Sequence, residues 1–356
     1  MRRSASAPPE ERGLTRDGVC LLVATPDGLA HARFADLPHY LHEGDLLVVN
    51  TSATVAAALD GQRPDGRAVT VHLSTTLDDG RWLVELREGS AGRGRVGDAS
   101  RGDTIALPGG ESLTLLTRYP DPAANRLWTA APTVLGDVAA FLAGHGRPIR
   151  YDYVPDPWPL AAYQTVFARD PGSAEMPSAA RPFTTALVTA LVTAGVVIAP
   201  VTLHAGVASL DASEPPLQER FSVPGPTAEL VNLTRAAGRR VVAVGTTCTR
   251  ALESATGPDG TVHASRGWTS LVLGPDNPVR TVTGIITGWH DPAASHLALL
   301  QAVAGTRLVQ AAYTEAERAG YLWHEFGDSC LLLPPQPWPS AGAGQDTGTD
   351  RAESPV

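Results

Sequence analysis

From Pro182 to Thr247 the chain twice lays down the same series: an amphipathic helical stretch, a glycine, then an apolar strand. PFTTALVTALVTAG sets Phe183, Leu187, Leu191 and Val192 near one helical face and stops at Gly195, and VVIAPVTLH follows as a buried strand. TAELVNLTRAAG and RRVVAVGTT repeat the pattern. Two consecutive units of this kind predict a partly parallel α/β sheet. A third, TRLVQAAYTEAERAG followed by YLWHEFGDSCLLL, is expected to close the fold. Such sheets bind ligands at the carboxyl ends of their strands, which directs attention to the turns after VVIAPVTL and VVAV.

A different rhythm occupies Gly61 to Arg147, where AVTVHL, RWLVELR, DTIAL, SLTLLT and RLWTA are separated by turn signals such as DDG, GG and DPAAN. Short alternating runs at this spacing suit a small antiparallel sheet or barrel. The expected fold is therefore mixed α/β (α+β): a large domain of residues 16–60 and 148–335 with a small all-β, barrel-like domain, 61–147, inserted in it. Residues 1–15 and 336–356 are rich in Pro, Gly, Ser and charge and are expected to lack structure.

All 28 basic residues are arginine, and 37 acidic residues bring the formal net charge to -9. A field of that sign repels nucleic acid in bulk, although a local arginine face can still contact phosphates. The three cysteines, Cys20, Cys248 and Cys330, have no metal-like spacing and argue against a disulfide framework. Neither a secretory h-region nor a membrane-length apolar run occurs, so a cytoplasmic protein without membrane or metal is expected.

The chemistry-bearing turns are few. In VAVGTTCTRALES, Gly245, Thr246 and Thr247 follow a buried strand with Arg250 one turn later, an arrangement that can cradle an anion or carboxylate, or simply cap a helix. VTLHAG places His204 just past a strand, where it can serve as acid or base or as a satisfied structural residue. GIITGWHDP repeats that grammar with Trp289 and His290; the indole can stack on a base or plug the core edge. AYQTVFA offers Tyr163, Gln164 and Thr165 as polar handles. The phosphate-loop, dinucleotide and serine-hydrolase motifs are missing.

In order along the chain, GDLLVVN, AYQTVFA, VTLHAG, VAVGTTCTRALES, IITGWHDP and AGYLWHEFGDSCLL resemble the S-adenosylmethionine:tRNA ribosyltransferase-isomerase family of queuosine biosynthesis. The resemblance implies that S-adenosylmethionine is a substrate, with no cofactor needed. Its ribosyl part would pass to 7-aminomethyl-7-deazaguanine in tRNA and rearrange to an epoxycyclopentanediol, releasing adenine and methionine. It implies a substrate site drawn from Asn50, Tyr163, Gln164, Thr165, Ser178, Gly245, Thr246, Thr247, Arg250, Trp289 and Asp328. His204, His290 and Glu219 would carry the catalysis. A sulfonium acidifies the C5′ hydrogens beside it, so a positioned base such as either histidine could begin the rearrangement.

Several positions depart from the family pattern. NDTRV reads Asn50, Thr51, Ser52, Ala53; PTAGLHF reads Pro177, Ser178, Ala179, Ala180, Arg181, Pro182, Phe183; MHSE keeps Glu219 but has Leu217 in place of its histidine. Ala208, Ser209 and Leu210 replace a glycine-threonine-phenylalanine, Thr269 to Val272 replace TDIF, and Gly288 stands for an asparagine. These losses leave open two alternatives: S-adenosylmethionine used toward a small acceptor with tRNA bound weakly, or a non-catalytic nucleoside-binding protein.

Overall fold

A computed structural model describes residues 3–89, 92–207, 217–291 and 296–335. The tail from 336 and the Ala208–Ser209–Leu210 segment lie outside the described residues. Two sheets organise the rest. The larger has nine described strands in the spatial order Ser265–Thr269, Glu219–Val223, Val197–Leu203, Leu46–Asn50, Val241–Val244, Gly284–Gly288, Ser329–Leu332, Cys20–Thr25, Gly28–Arg33. Its four central strands, from Val197–Leu203 to Gly284–Gly288, run parallel. Their carboxyl ends, at His204, Asn50, Gly245 and Trp289, therefore share one edge.

The first helix, α1 (Val138–His145), precedes the two helix–glycine–strand units, which fold as their periodicity implies. Helix α2 (Thr185–Thr193) buries Leu187 and Leu191 and is capped by the Thr184 side chain, which accepts from Leu187 N–H. Phe183 precedes the helix and is fully buried, while Val192 is 54% exposed because it falls on the opposite face. Helix α3 (Gly225–Ala236) leads to Val241–Val244, and α4 (Thr246–Ser254) follows at once. The third unit differs: after α5 (His296–Ala304) and α6 (Thr306–Ala319) the strand Ser329–Leu332 runs antiparallel to Gly284–Gly288 and parallel to Cys20–Thr25. It closes the sheet without extending the parallel set.

The smaller sheet closes on itself. Ala58–Gln62, Ala68–Thr76, Trp82–Glu88, Leu127–Pro132, Ser112–Tyr119 and Thr104–Ala106 form a six-stranded antiparallel barrel, completed where Leu127–Pro132 pairs with Trp82–Glu88 and where Thr104–Ala106 meets Ala58–Gln62. Val69, Val71 and Leu73 alternate with Thr70, His72 and Ser74, and cross-strand register puts Val71 opposite Leu86 and His72 opposite Glu85. The first barrel strand begins at Ala58, three residues before the boundary expected from turn signals. The polar face is nonetheless buried: Gly92 lies against Thr70 and His72, and Ser74 Oγ accepts from Val207 N–H at 3.2 Å.

The N-terminal segment is ordered, contrary to its composition. Arg3–Ser4 pairs in parallel with Leu322–Trp323, Ala5 N–H donates to Trp323 O at 3.1 Å, and Arg12 Nη2 donates to Phe326 O at 2.8 Å. Ala5, 1% exposed, packs with Val154, Tyr163, Met176 and Phe326, and Glu10 pairs with Arg181 at 3.0 Å. Backbone pairing and a few anchor residues hold the segment, and neither leaves a mark in amino-acid composition. Replacing Ala5 by Asp should cost about 2 kcal/mol or more of stability in urea unfolding, because the carboxyl would enter an apolar cluster unpaired. A dangling segment would lose nothing.

Candidate active site

A cavity of about 530 Å³ lies where the carboxyl edge of the large sheet faces the barrel. This is the volume class of small-molecule sites. Gly245, Thr246 and Thr247 form one wall, Gly288, Trp289 and His290 another, and His324 and Glu325 a third.

The Gly245 turn has a backbone reason for its glycine: φ is +94°, and an added Cβ would stand 3.2 Å from Ala179 Cβ. Gly245 is the N-cap of α4, and no side chain caps that helix's first turn. The simple capping role is thus not filled by Thr246 or Thr247, which are themselves the first helical residues. The positive end of α4 faces the cavity, a setting that favours an anion. Asn50 fixes Thr247 from below: its Nδ2 donates to Thr247 Oγ1 at 3.2 Å and to Leu203 O at 2.8 Å.

Arg250 lies on the wall but is spent inside the protein. Its guanidinium pairs with Glu219 and donates to Leu271 O at 3.2 Å, Leu217 O at 3.1 Å and Thr269 O at 3.3 Å. Glu219 also accepts Gly206 N–H at 3.0 Å. Burial raises the Glu219 carboxyl pKa, and Arg250 opposes that rise. The pair ties α4 to Glu219–Val223 and to the 269–271 turn, a structural tie where the sequence suggested a carboxylate clamp in Arg250 and a catalytic residue in Glu219.

The two histidines expected to share a site separate. His290 lines the cavity, whereas His204 does not. The His204 ring turns away: Nδ1 lies 2.7 Å from Ser52 Oγ, itself 2.6 Å from Ser173 Oγ, and the ring packs so closely on Gly172 that a Cβ there would fall 2.5 Å from Nδ1. Gln164 and Thr165 are likewise structural. The Gln164 amide pairs with both backbone groups of Thr54, accepting at 3.0 Å and donating at 2.7 Å, and Thr165 Oγ1 accepts Phe167 N–H. Asp328 accepts Cys20 N–H and Leu322 N–H at 2.8 and 2.7 Å. Tyr163 and Ser178 do reach the cavity. Trp289 also borders it but is 1% exposed, packed edge-on against Tyr313 and Tyr321, so its bulk serves the core.

Sequence reasoning passed over a second set. Tyr151, Tyr153, Glu175, His296, His324 and Glu325 all line the cavity. His290 and His296 stack with ring centroids 4.4 Å apart and planes within 11°. Burial holds His290 well below its ordinary pKa, with His296 and His324 adding to the effect, and holds His296 down to about 4. Thr287 Oγ1 lies 3.1 Å from Gly288 O and 3.2 Å from His290 Nε2; with its hydrogen given to Gly288 O it would accept from Nε2–H, the tautomer that leaves Nδ1 as the basic atom. The wall thus holds a neutral imidazole base. YDY in a proline-rich stretch and HEFGD between two short strands were the available signals for the tyrosines and for His324 and Glu325.

A model of the family described as queuosine biosynthesis protein matches residues 1–332. The chain belongs to that family. Two curated relatives carry the name S-adenosylmethionine:tRNA ribosyltransferase-isomerase. The one from Acidiphilium cryptum is 36% identical over 343 residues, 91% of this chain and 96% of its own; that from Moorella thermoacetica is 34% identical over 337 residues, 89% and 94%. The crystal structure of S-adenosylmethionine tRNA ribosyltransferase from Thermotoga maritima superposes with a TM-score of 0.50 at 26% identity, covering 93% of this chain and 96% of that one. Family membership holds although Leu217, Pro182 and Gly288 depart from the pattern. Among the described residues no helix is long and apolar enough to cross a membrane, and no three His, Cys, Asp or Glu side chains converge as metal ligands would.

Two outcomes follow from this geometry. Arg250→Ala strands the buried Glu219 charge and should cost about 3–5 kcal/mol in urea unfolding, with or without ligand, while replacing both residues by Met should recover much of the loss. An Arg250→Ala protein of unchanged stability that lost only ligand affinity would instead make the arginine a ligand clamp. The histidines set a pH window. Above pH 6.5 His296 is neutral folded and unfolded; as pH falls the unfolded chain takes up the proton first, and the folded ring only near 4. Stability should therefore decline from about pH 6.5 to 4, read as a thermal midpoint, and decline less in His296→Gln.

Proposed function

We propose that the protein transfers the ribosyl moiety of S-adenosylmethionine to 7-aminomethyl-7-deazaguanine in tRNA and isomerises it, giving epoxyqueuosine and releasing adenine and methionine in the cytoplasm. The observation that carries the reading is the meeting, in one cavity of a chain of this family, of an uncapped helix N-terminus and a neutral histidine. The α4 amides at Thr246 and Thr247 take the methionine carboxylate, the role first given to Arg250. His290 Nδ1 accepts the C5′ proton acidified by the sulfonium, and the C–H electron pair stays on carbon beside sulfur. The imidazolium so formed can return its proton to departing adenine. Tyr163 and Ser178 complete the wall around the nucleoside. The protein's acidity sets no bar: tRNA needs only a local arginine face.

The test is incubation of the purified protein with S-adenosylmethionine and tRNA, read by mass spectrometry. Adenine and methionine should appear with tRNA bearing the deazaguanine and not with unmodified tRNA. His290→Gln should lower kcat by roughly 10²- to 10⁴-fold. Adenine release that needs no tRNA, or that needs a small-molecule acceptor, would overturn the assignment of acceptor.

A further inference from the structure

Resting on that reading, we propose that Glu325, aimed by Tyr153 and His324, recognises the positive sulfonium of S-adenosylmethionine. A sulfonium carries no N–H or O–H, so beyond the shape of its methyl group a protein can recognise it by its charge. On the cavity wall Arg250 is the one arginine among the described residues, and Glu219 holds it. Burial keeps the wall histidines His290, His296 and His324 below their ordinary pKa values. What remains is acidic: Glu175, which accepts from the Tyr151 hydroxyl, Asp291 and Glu325, of which Glu325 is assigned the cation. It shares a wall with Ser178 and Gly288, and Ser178 adjoins Ala179, which touches the Gly245 turn. A ligand with its carboxylate at α4 therefore extends toward Glu325.

The turn that presents Glu325 is built firmly. His324 has a left-handed φ of +72°, a conformation that non-glycine residues adopt only where surroundings enforce it. His324 N–H donates to Trp289 O at 3.3 Å, Gly327 N–H to His324 O at 2.9 Å, and Arg12 grips Phe326 O from the N-terminal segment. The His324 ring stacks on Tyr153, centroids 3.9 Å apart and planes within 11°, and the Tyr151 ring stacks on Tyr153 with centroids 5.8 Å apart. The face of Tyr153 that His324 covers is closed to a cation. Its hydroxyl faces the Glu325 carboxylate and opposes the upward pKa shift that burial causes there. A cation would favour the ionised carboxylate, so affinity for it should rise with pH until Glu325 is ionised in the free protein.

Calorimetric titration with S-adenosylmethionine and with S-adenosylhomocysteine, its uncharged thioether counterpart, tests the assignment. The unaltered protein should prefer the sulfonium by roughly tenfold or more. Glu325→Gln should collapse the preference while leaving S-adenosylhomocysteine binding nearly constant, and Tyr153→Phe, which keeps the stack, should reduce it part-way. Only the sulfonium ligand should bind more tightly as pH rises. Equal affinity for the two ligands, or a Glu325→Gln protein that folds with the preference intact, would overturn the role of Glu325 while leaving the reaction assignment standing. Failure of the unaltered protein to bind either ligand would overturn both.

Discussion

The side chain of Asn50 holds the site together. It is fully buried at the end of Leu46–Asn50, and its amide accepts from Ser52 N–H and Leu203 N–H, each at 3.0 Å, while donating to Leu203 O and Thr247 Oγ1. One amide thereby stands in for a backbone pairing with Leu203, turns its own strand at Ser52, and sets the first turn of α4. A buried amide with every bond made is worth far more than one left partly unmet. Without it the ends of two parallel strands and the Gly245 turn would have no common reference. This gives Asn50 a structural meaning where the family resemblance suggested contact with substrate.

From that anchor the division of labour among polar groups follows. Glu219 and Arg250 satisfy each other, His204 serves the Ser52–Ser173 network, and Asp328 caps backbone amides near Leu322. In the proposed mechanism, chemistry falls to groups whose protein partners do not exhaust them: the α4 amides, His290 and Glu325. The proposed site is thus divided between an anion end made of backbone and a cation end made of side chain, matching the carboxylate and the sulfonium of the proposed substrate.

Much of the architecture was legible because buried parallel strands and amphipathic helices leave long periodic runs. PFTTALVTALVTAG and VVIAPVTL could hardly be misread, and AVTVHL declared its alternation. The common edge shared by Gly245 and His290 was legible too, since parallel strands end together. The direction of a side chain at that edge was not. His204 and His290 both follow apolar strands, yet one ring turns toward Ser52 and the other toward the cavity, a choice that involves Gly172, distant in sequence from VTLHAG, and a hydroxyl contact from Thr287 that strand periodicity does not reveal. Residues 3–12 were illegible for another reason: they bind through main-chain groups of Trp323 and Phe326, to which composition is blind.

The central claim is that α4 and the His290 wall together hold S-adenosylmethionine. The most direct measurement is a crystal structure of the protein with that ligand bound. The account predicts the methionine carboxylate at the Thr246 and Thr247 amides, with the ribose C5′ within reach of His290 Nδ1. A carboxylate held instead by Arg250, or a nucleoside bound away from His290, would contradict it.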